Sequence, residues 1–238
     1  MSVRKMLVAL IILLTGTYTS AYIGTGRGTK RTNMADVSVN MNILTEFSNV
    51  LSGIRCVDLC LQNEACVSVF YRRQHQRCQL HDVLFMSPQD GQQETGTVYY
   101  SVTTGVCPSG YVHNRLLNLC YQLHQEKITY GKGLADCKSR GEHFVVIDSE
   151  DKQNHVVKQI NSSDTGPCNY YFDGSDAANE GHWVFHDGRN MTYLPWAPGF
   201  PHGNEKRDYI MAVRGHSFRW YNAIRGAFKQ CYLCERDV

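Results

Sequence analysis

The chain has 238 residues, with 24 lysines and arginines against 22 aspartates and glutamates. Its first 21 residues hold Arg4 and Lys5, an apolar run over 6–14 and small residues up to Ala21. Such a stretch is too short to cross a bilayer and is typical of a secretory signal peptide, with an uncleaved anchor as the alternative. Its removal leaves equal numbers of basic and acidic residues, which excludes a strongly basic nucleic-acid binder. We expect a secreted, extracellular chain with no membrane span.

Length and cysteine spacing predict two modules. The roughly 217 residues left after the signal peptide exceed the usual length of one domain. Four cysteines lie within 56–78 and six within 107–234, and an even number in an oxidising compartment predicts full pairing. We therefore predict a signal peptide over 1–21, a flexible Gly- and Thr-containing leader over 22–35, a first module over 36–104 and a second over 105–238.

The first module is predicted to place a helix on a sheet. Cys56 and Cys60 are four residues apart and share one helix face with Val57 and Leu61. Strands rich in β-forming residues are predicted over 65–71, 77–80 and 97–102. We predict no zinc site here, because the sequence has no second pair of Cys or His ligands at the spacing of a zinc finger. Four cysteines allow three pairings, among which spacing alone does not choose.

The cysteine pattern of this module is similar to a known family. Cys56-x-x-x-Cys60, then Cys66 before an aromatic strand, then Cys78-x-Leu80, resembles the PAN or apple module. The resemblance implies the disulfides Cys56–Cys78 and Cys60–Cys66, and a role in protein or glycan contact. The alternative is that the first module is only a disulfide-linked spacer that presents the second module.

The second module carries a series of spaced motifs. They are Glu180-Gly181-His182-Trp183, Asp187-Gly188, Trp196-x-x-Gly199, Trp220-Tyr221-Asn222 and Cys234-Glu235. Their order resembles the C-type lectin domain, and the opening Cys107 to Cys120 segment resembles its long form. The implied architecture is α+β: a disulfide-rich secreted protein with a PAN/apple-like module followed by a long-form C-type lectin-like domain.

The lectin resemblance also implies disulfides. Cys107–Cys120 would close the N-terminal hairpin, and Cys137–Cys234 would tie the first helix to the last strand. The family's usual second bridge is missing at both of its positions, where Tyr209 and Arg225 stand. The remaining cysteines suggest a replacement bridge, Cys168–Cys231.

Two helices and a strand are predicted before the lectin motifs. A helix over 129–137 precedes a strand over 143–147, and Ser149 can cap a second helix. The first helix is predicted to turn three side chains inward: Leu134, Ala135 and Cys137. The second has an apolar face of Val156, Val157 and Ile160.

The usual calcium site of sugar-binding lectins is altered. There, oxygen ligands hold calcium and bond sugar hydroxyls, but the matching positions here are Phe200, His202, Tyr221 and Asn222. Glu205 stands for a further ligand unless Arg207 aligns there. Calcium needs six to eight oxygens, so we expect no calcium at this site and no other cofactor. Pro201, the family's cis proline, is kept.

The same cluster resembles a calcium-independent glycan surface, because aromatic faces stack on sugar CH groups. Trp220 joins the aromatic side chains, whereas Trp183 and Trp196 are predicted to lie in the core. The alternative is a loop whose sequence has changed without keeping any binding role. The candidate ligand-binding residues are Phe200, His202, Asn204, Glu205, Tyr221 and Asn222.

No pattern typical of an enzyme is present in the sequence. It lacks a zinc-protease motif, a nucleophile elbow and a phosphate loop, and every cysteine has a predicted partner. His182 and His186 alternate with Trp183 and Phe185, which favours a polar strand face over a metal pair.

The predicted function is a secreted lectin-like recognition protein that binds an extracellular glycan or glycoprotein, in innate immunity or the matrix. The alternative is an extracellular protein-interaction scaffold that binds no sugar. Fold alone does not choose between these functions. Asn161-Ser162-Ser163 and Asn190-Met191-Thr192 are predicted to be exposed N-glycosylation sites.

Overall fold

A computed structural model describes residues 26–88, 91–163, 166–203 and 206–238. The predicted signal peptide, leader residues 22–25, Asn204 and Glu205 lie outside these ranges. Among the described residues, no helix is long and apolar enough to cross a membrane. The fold is α+β, as predicted, with one main sheet in each module.

The first module consists of a helix on a five-stranded antiparallel sheet with the strand order β1-β7-β4-β5-β3. A two-stranded ribbon of β2 and β6 lies beside it. Its elements are β1 Gly26–Lys30, β2 Val37–Ser38, β3 Ile43–Phe47, α1 Gly53–Leu61, β4 Ser68–Arg72, β5 Arg77–His81, β6 Gln92–Gln93 and β7 Thr97–Thr104.

The prediction of a flexible leader over 22–35 is wrong for its described part. Residues 26–30 form strand β1, which pairs with β7 along the edge of the sheet. The glycines allow α1 to approach: a Cβ on Gly28 would meet Val57 at 2.5 Å, and one on Gly26 would meet Leu61 at 2.1 Å. The glycines of this segment therefore allow β1 and α1 to pack closely.

The second module is built on a sheet with the order β13-β12-β11-β14-β9-β8, in which β10 also pairs with β14. Strands β11 and β14 are parallel neighbours. Its elements are β8 Val112–Asn114, β9 Leu119–Ile128, α2 Tyr130–Ser139, β10 His143–Phe144, α3 Glu150–Asn161, β11 Tyr170–Ser175, β12 Tyr209–Val213, β13 Arg219–Ala223 and β14 Gln230–Glu235.

Helix α2 differs from its prediction in the face that it buries. Ala135 is exposed, whereas Tyr130, Gly133 and Cys137 are buried. Those three follow the spacing of one helix face, and Ala135 falls off that stripe. A Cβ on Gly133 would lie 3.1 Å from the ring of Phe144, so glycine lets the helix sit close to β10.

The predicted strand over 143–147 is shorter in the structure. Only His143 and Phe144 pair with β14 as a strand, although 145–147 stay buried. The Val146 N–H donates to the Glu235 carboxylate at 2.7 Å. The Glu235 carboxylate thus accepts the N–H that a strand would bond to a neighbouring carbonyl, and regular strand pairing ends before Val146.

Five disulfides connect the described cysteines, and none of these cysteines is free. The pairs coincide with those expected from the sequence. They are Cys56–Cys78, Cys60–Cys66, Cys107–Cys120, Cys137–Cys234 and Cys168–Cys231.

The two modules share one hydrophobic core. One continuous cluster joins buried residues of both, among them Met34, Phe70, Phe85, Tyr99, Val112, Leu119, Tyr121, Val156 and Ile160. The fully buried Gln159 of α3 crosses the junction: its Oε1 accepts from the Leu84 N–H at 2.7 Å and its Nε2 donates to the Leu84 carbonyl at 2.7 Å. Lys158 also forms an ion pair with Asp82.

Among the buried histidines of the two modules are His81, His113 and His155. Burial is the main cause that lowers the pKa of each of them to about 4. The contacts agree with neutral rings, because His113 Nδ1 accepts from the Thr104 N–H at 3.0 Å. His155 Nδ1 lies 3.1 Å from the amide nitrogen of Asn114, which can donate to it.

These pKa values predict loss of stability in acid. A histidine with a pKa near 4 when folded and near 6.5 when unfolded stabilises the fold fully above pH 6.5, and this stabilisation disappears as the pH falls through 4. We expect His155→Gln to reduce the drop in unfolding free energy between about pH 7.5 and about pH 4.5 by about 2 kcal/mol. Urea titrations at both pH values measure it, and an unchanged drop would contradict the burial of a neutral ring.

Both predicted glycosylation sites have exposed asparagines, Asn161 at the end of α3 and Asn190 in a loop. We expect each to carry N-linked glycan in material secreted by eukaryotic cells. Endoglycosidase should increase electrophoretic mobility, and Asn161→Gln and Asn190→Gln should each remove one glycoform. A mobility that neither treatment nor substitution changes would contradict the prediction.

Candidate functional site

The loop with the predicted ligand-binding residues runs beside the edge strand β13. The Ala197 N–H donates to the Trp220 carbonyl at 2.9 Å, and the Trp220 N–H donates to the Pro195 carbonyl at 3.1 Å. The chain then turns through a cis peptide bond between Phe200 and Pro201. The loop thereby brings 200–202 to the exposed side of β13.

Four side chains form an aromatic platform at this place: Phe200, His202, His216 and Tyr221. The Phe200 ring stacks on Tyr221, with centroids 3.6 Å apart and planes at 24°. His202 lies 4.3 Å from Phe200, and His216 lies 5.3 Å from Tyr221. Phe200 and Tyr221 are half-buried, while both histidines are exposed. No sequence motif indicated His216, which reaches Tyr221 from the 3-10 helix Arg214–His216.

Asn222 was predicted to contact the ligand, but the structure gives it a structural role. It is only 2% exposed. Its Oδ1 accepts from the His202 N–H at 2.8 Å, and its Nδ2 donates to the His202 carbonyl at 2.7 Å. One amide N–H and one oxygen lone pair are thus used in fixing the loop at His202, and the buried side chain presents no exposed face to a sugar hydroxyl.

The expectation that Trp220 belongs to the surface cluster is wrong. Trp220 is fully buried, and its Nε1 donates to Gln153 of α3 at 3.1 Å. Neighbouring residues of a strand point to opposite faces, so Tyr221 faces outward while Trp220 faces the core. Trp183 is buried and meets the half-buried Trp196 ring at 4.9 Å, in agreement with their predicted core positions.

The described positions at the usual calcium site offer few oxygen ligands. Phe200, His202 and Tyr221 supply no carboxylate, and the Asn222 oxygen is already bonded to a peptide N–H. Arg207, the alternative to Glu205 in the sequence comparison, lies here with its guanidinium 3.4 Å from the Asn222 carbonyl. The guanidinium brings a positive charge to the Asn222 carbonyl, and this charge disfavours a cation at the same place.

A pair of carboxylates lies elsewhere on the second module. The Asp176 N–H donates to the Asp208 carbonyl at 3.3 Å, and Asp176 Oδ2 accepts from the Gly181 N–H at 3.0 Å. Burial, followed by the charge of Asp176, raises the pKa of Asp208. The sequence analysis did not single out this pair, although each aspartate lies at the end of one of two pairing strands. The charge effect shows that the two carboxylates lie near each other, and carboxylate oxygens are ligands that a hard cation prefers.

His182 and His186 do not form the alternating strand that was predicted. Between them, Val184 makes only isolated bridges, and both histidines are exposed. His186 Nδ1 bonds to Asp173 at 2.8 Å, which raises the pKa of His186. Its ring stacks on His143 at 4.0 Å.

One group of three metal-ligand side chains is close enough to share an ion in the described part of the chain: His124, Asp136 and Cys234. Cys234 is in a disulfide. Arg140 donates to Asp136 at 2.8 Å and to the Cys234 sulfur at 3.0 Å, so a cation already fills this group.

Comparisons with known proteins agree with both modules. The PAN domain family model matches residues 32–104. The galactose-specific lectin nattectin of Thalassophryne nattereri is 24% identical over 57% of this chain and 83% of its own length. Salivary C-type lectin 1 of Aedes albopictus is 30% identical over 42% of this chain and 71% of its own length.

A solved structure supports the same fold. The C-type lectin CEL-I of Cucumaria echinata superposes with a TM-score of 0.50 and 21% identity, over 55% of this chain and 97% of CEL-I. With the PAN match in the first module and the lectin relatives together, the family is established. The chain belongs to the C-type lectin family and carries a PAN domain.

Proposed function

We propose that the protein is a secreted recognition protein that binds extracellular glycans or glycoproteins through the aromatic platform, without calcium at the usual lectin site. The observation that carries this proposal is the stack of Phe200 on Tyr221 with His202 beside it. These residues occupy the positions that match calcium ligands in sugar-binding lectins. The proposal includes no catalytic step.

The platform has the chemistry that a pyranose ring needs. Aromatic rings bury sugar CH groups, and polar groups at their edges can bond hydroxyls. Ring nitrogens of His202 and His216 and the Tyr221 hydroxyl supply such groups. The Asn222 amide holds the loop before any ligand arrives. A preformed loop loses less conformational entropy on binding.

One relative supports a sugar as the ligand class. Nattectin is described as galactose-specific, and its similarity to this chain makes a glycan the first ligand to test. The altered residues at 200, 202 and 221 mean that the sugar preference of that relative does not transfer directly.

A scaffold that binds protein through the first module is the second candidate. Leu51 and Ile54, at the start of α1, are 79% and 83% exposed. Large aliphatic side chains with this exposure favour contact with another protein. In that case the shared core would hold the two modules at a fixed angle, and the platform would bind nothing.

Replacement of Tyr221 by alanine tests the platform. We expect Tyr221→Ala to weaken glycan binding by about 1–2 kcal/mol, because it removes both a contact ring and the support of Phe200. Phe47→Ala is the matched control, since it truncates a partly exposed aromatic residue in the first module. Titration calorimetry on a glycan identified by array screening measures both. Normal binding by Tyr221→Ala with a loss in Phe47→Ala would move the site to the first module.

Removal of calcium tests the second part of the proposal. We expect a chelator to leave glycan affinity unchanged, because the described platform residues present no carboxylate to a cation. Any calcium-dependent rise in Tm should disappear in Asp176→Asn, which removes one member of the carboxylate pair, while glycan affinity stays unchanged. Loss of glycan binding after chelation would overturn calcium independence.

A further inference from the structure

The segment 200–229, which carries the four platform residues, is basic although the whole chain is nearly neutral. The segment 200–229 holds six of the 24 lysines and arginines but only two of the 22 aspartates and glutamates. The rest of the chain therefore has 18 basic and 20 acidic residues. An uneven distribution of this kind creates a local potential that attracts anions.

Two arginines of this segment border the platform. Arg219 precedes Tyr221 by two residues on β13, which places both side chains on one face. Its guanidinium contacts the Trp196 carbonyl at 3.4 Å. Arg207 contacts the carbonyl of Asn222, the residue that fixes His202. The guanidinium groups thus lie beside the loop on which Phe200 and His202 stand.

These arginines lack the ion pairs that other arginines make. In the described part of the chain, Arg207 and Arg219 contact carbonyl groups at long distance but form no ion pair with a carboxylate. Six others do form one: Arg55, Arg72, Arg77, Arg140, Arg189 and Arg236. The charges beside the platform are therefore available to an external anion.

We propose that the ligand of the platform is an acidic glycan, with Arg207 and Arg219 bound to its sulfate or carboxylate groups while the aromatic rings contact its sugar rings. This inference rests on the proposed function and adds the charge class of the ligand. Guanidinium matches both anions, because its planar N–H groups donate two parallel bonds to their oxygens. A neutral sugar would leave the two positive charges unused.

Four polysaccharide probes separate the sources of charge. Keratan sulfate has sulfate esters and no uronic acid, hyaluronan has carboxylates and no sulfate, chondroitin sulfate has both, and desulfated keratan is neutral. We expect the secreted full chain to bind at least one acidic probe about tenfold more tightly than desulfated keratan. Keratan sulfate alone would assign sulfate, hyaluronan alone would assign carboxylate, and both would assign the shared anionic chemistry.

Substitutions locate the charge effect. Arg207→Gln and Arg219→Gln should each weaken binding to the acidic probe about fivefold, the scale of an exposed ion pair, and the double variant should lose most of the preference over desulfated keratan. Arg73→Gln with Lys138→Gln removes two exposed charges away from the platform and should leave affinity unchanged. Tm measurements establish that all variants are folded.

Three results would overturn the inference, and they separate its failure from a failure of the proposed function. If desulfated keratan binds as tightly as the acidic probes and Tyr221→Ala still weakens binding, the acidic class is wrong and the platform stands. If Arg73→Gln with Lys138→Gln weakens binding as much as the platform variants, the attraction is a general charge effect. If Tyr221→Ala has no effect on any probe, the proposed function fails with the inference.

Discussion

Helix α3 connects the two modules to the candidate site, and its Gln159 makes a fully buried polar contact with the first module. Its buried amide bonds both polar groups of the Leu84 peptide; loss of such a pair would leave buried polar groups without partners. Nearer its N-terminus, α3 presents Gln153, which accepts from Trp220 Nε1 and donates to the Phe218 carbonyl. The helix thus contacts the first module through Gln159, near its C-terminus. Through Gln153, near its N-terminus, it supports the strand that carries Tyr221.

This support explains how the recognition loop can be ordered without a metal ion. Hydrogen bonds from Ala197 to Trp220 and from Asn222 to His202 fix both parts of the loop. Under the proposal of calcium-independent recognition, these amide groups take the place of a coordinated cation in ordering the loop. Rings and positive charge can then occupy nearby positions, such as Phe200 and Arg207.

The family resemblances predicted the architecture and most of the disulfides, and local signals in the sequence predicted several individual elements. Ser149 does cap its helix, with its side chain accepting from the Lys152 N–H, because capping depends on a few adjacent residues. The role of Gly28 was missed, since its reason lies in Val57, distant in sequence but adjacent in space. At the site, strand alternation alone shows that Trp220 and Tyr221 cannot lie on the same face of β13. The bonds of Asn222 to the His202 backbone depend on the path of the loop, which no local sequence pattern predicts.

The central claim is that recognition occurs on the face of β13 and the loop beside it, without calcium. Hydrogen-exchange mass spectrometry of the secreted chain in chelator, with and without a bound acidic glycan, tests it most directly. The account predicts slower exchange in peptides that cover 196–203 and 214–223, with no change over 43–55 in the first module. Protection confined to 43–55, or protection at the platform that appears only when calcium is added, would contradict it.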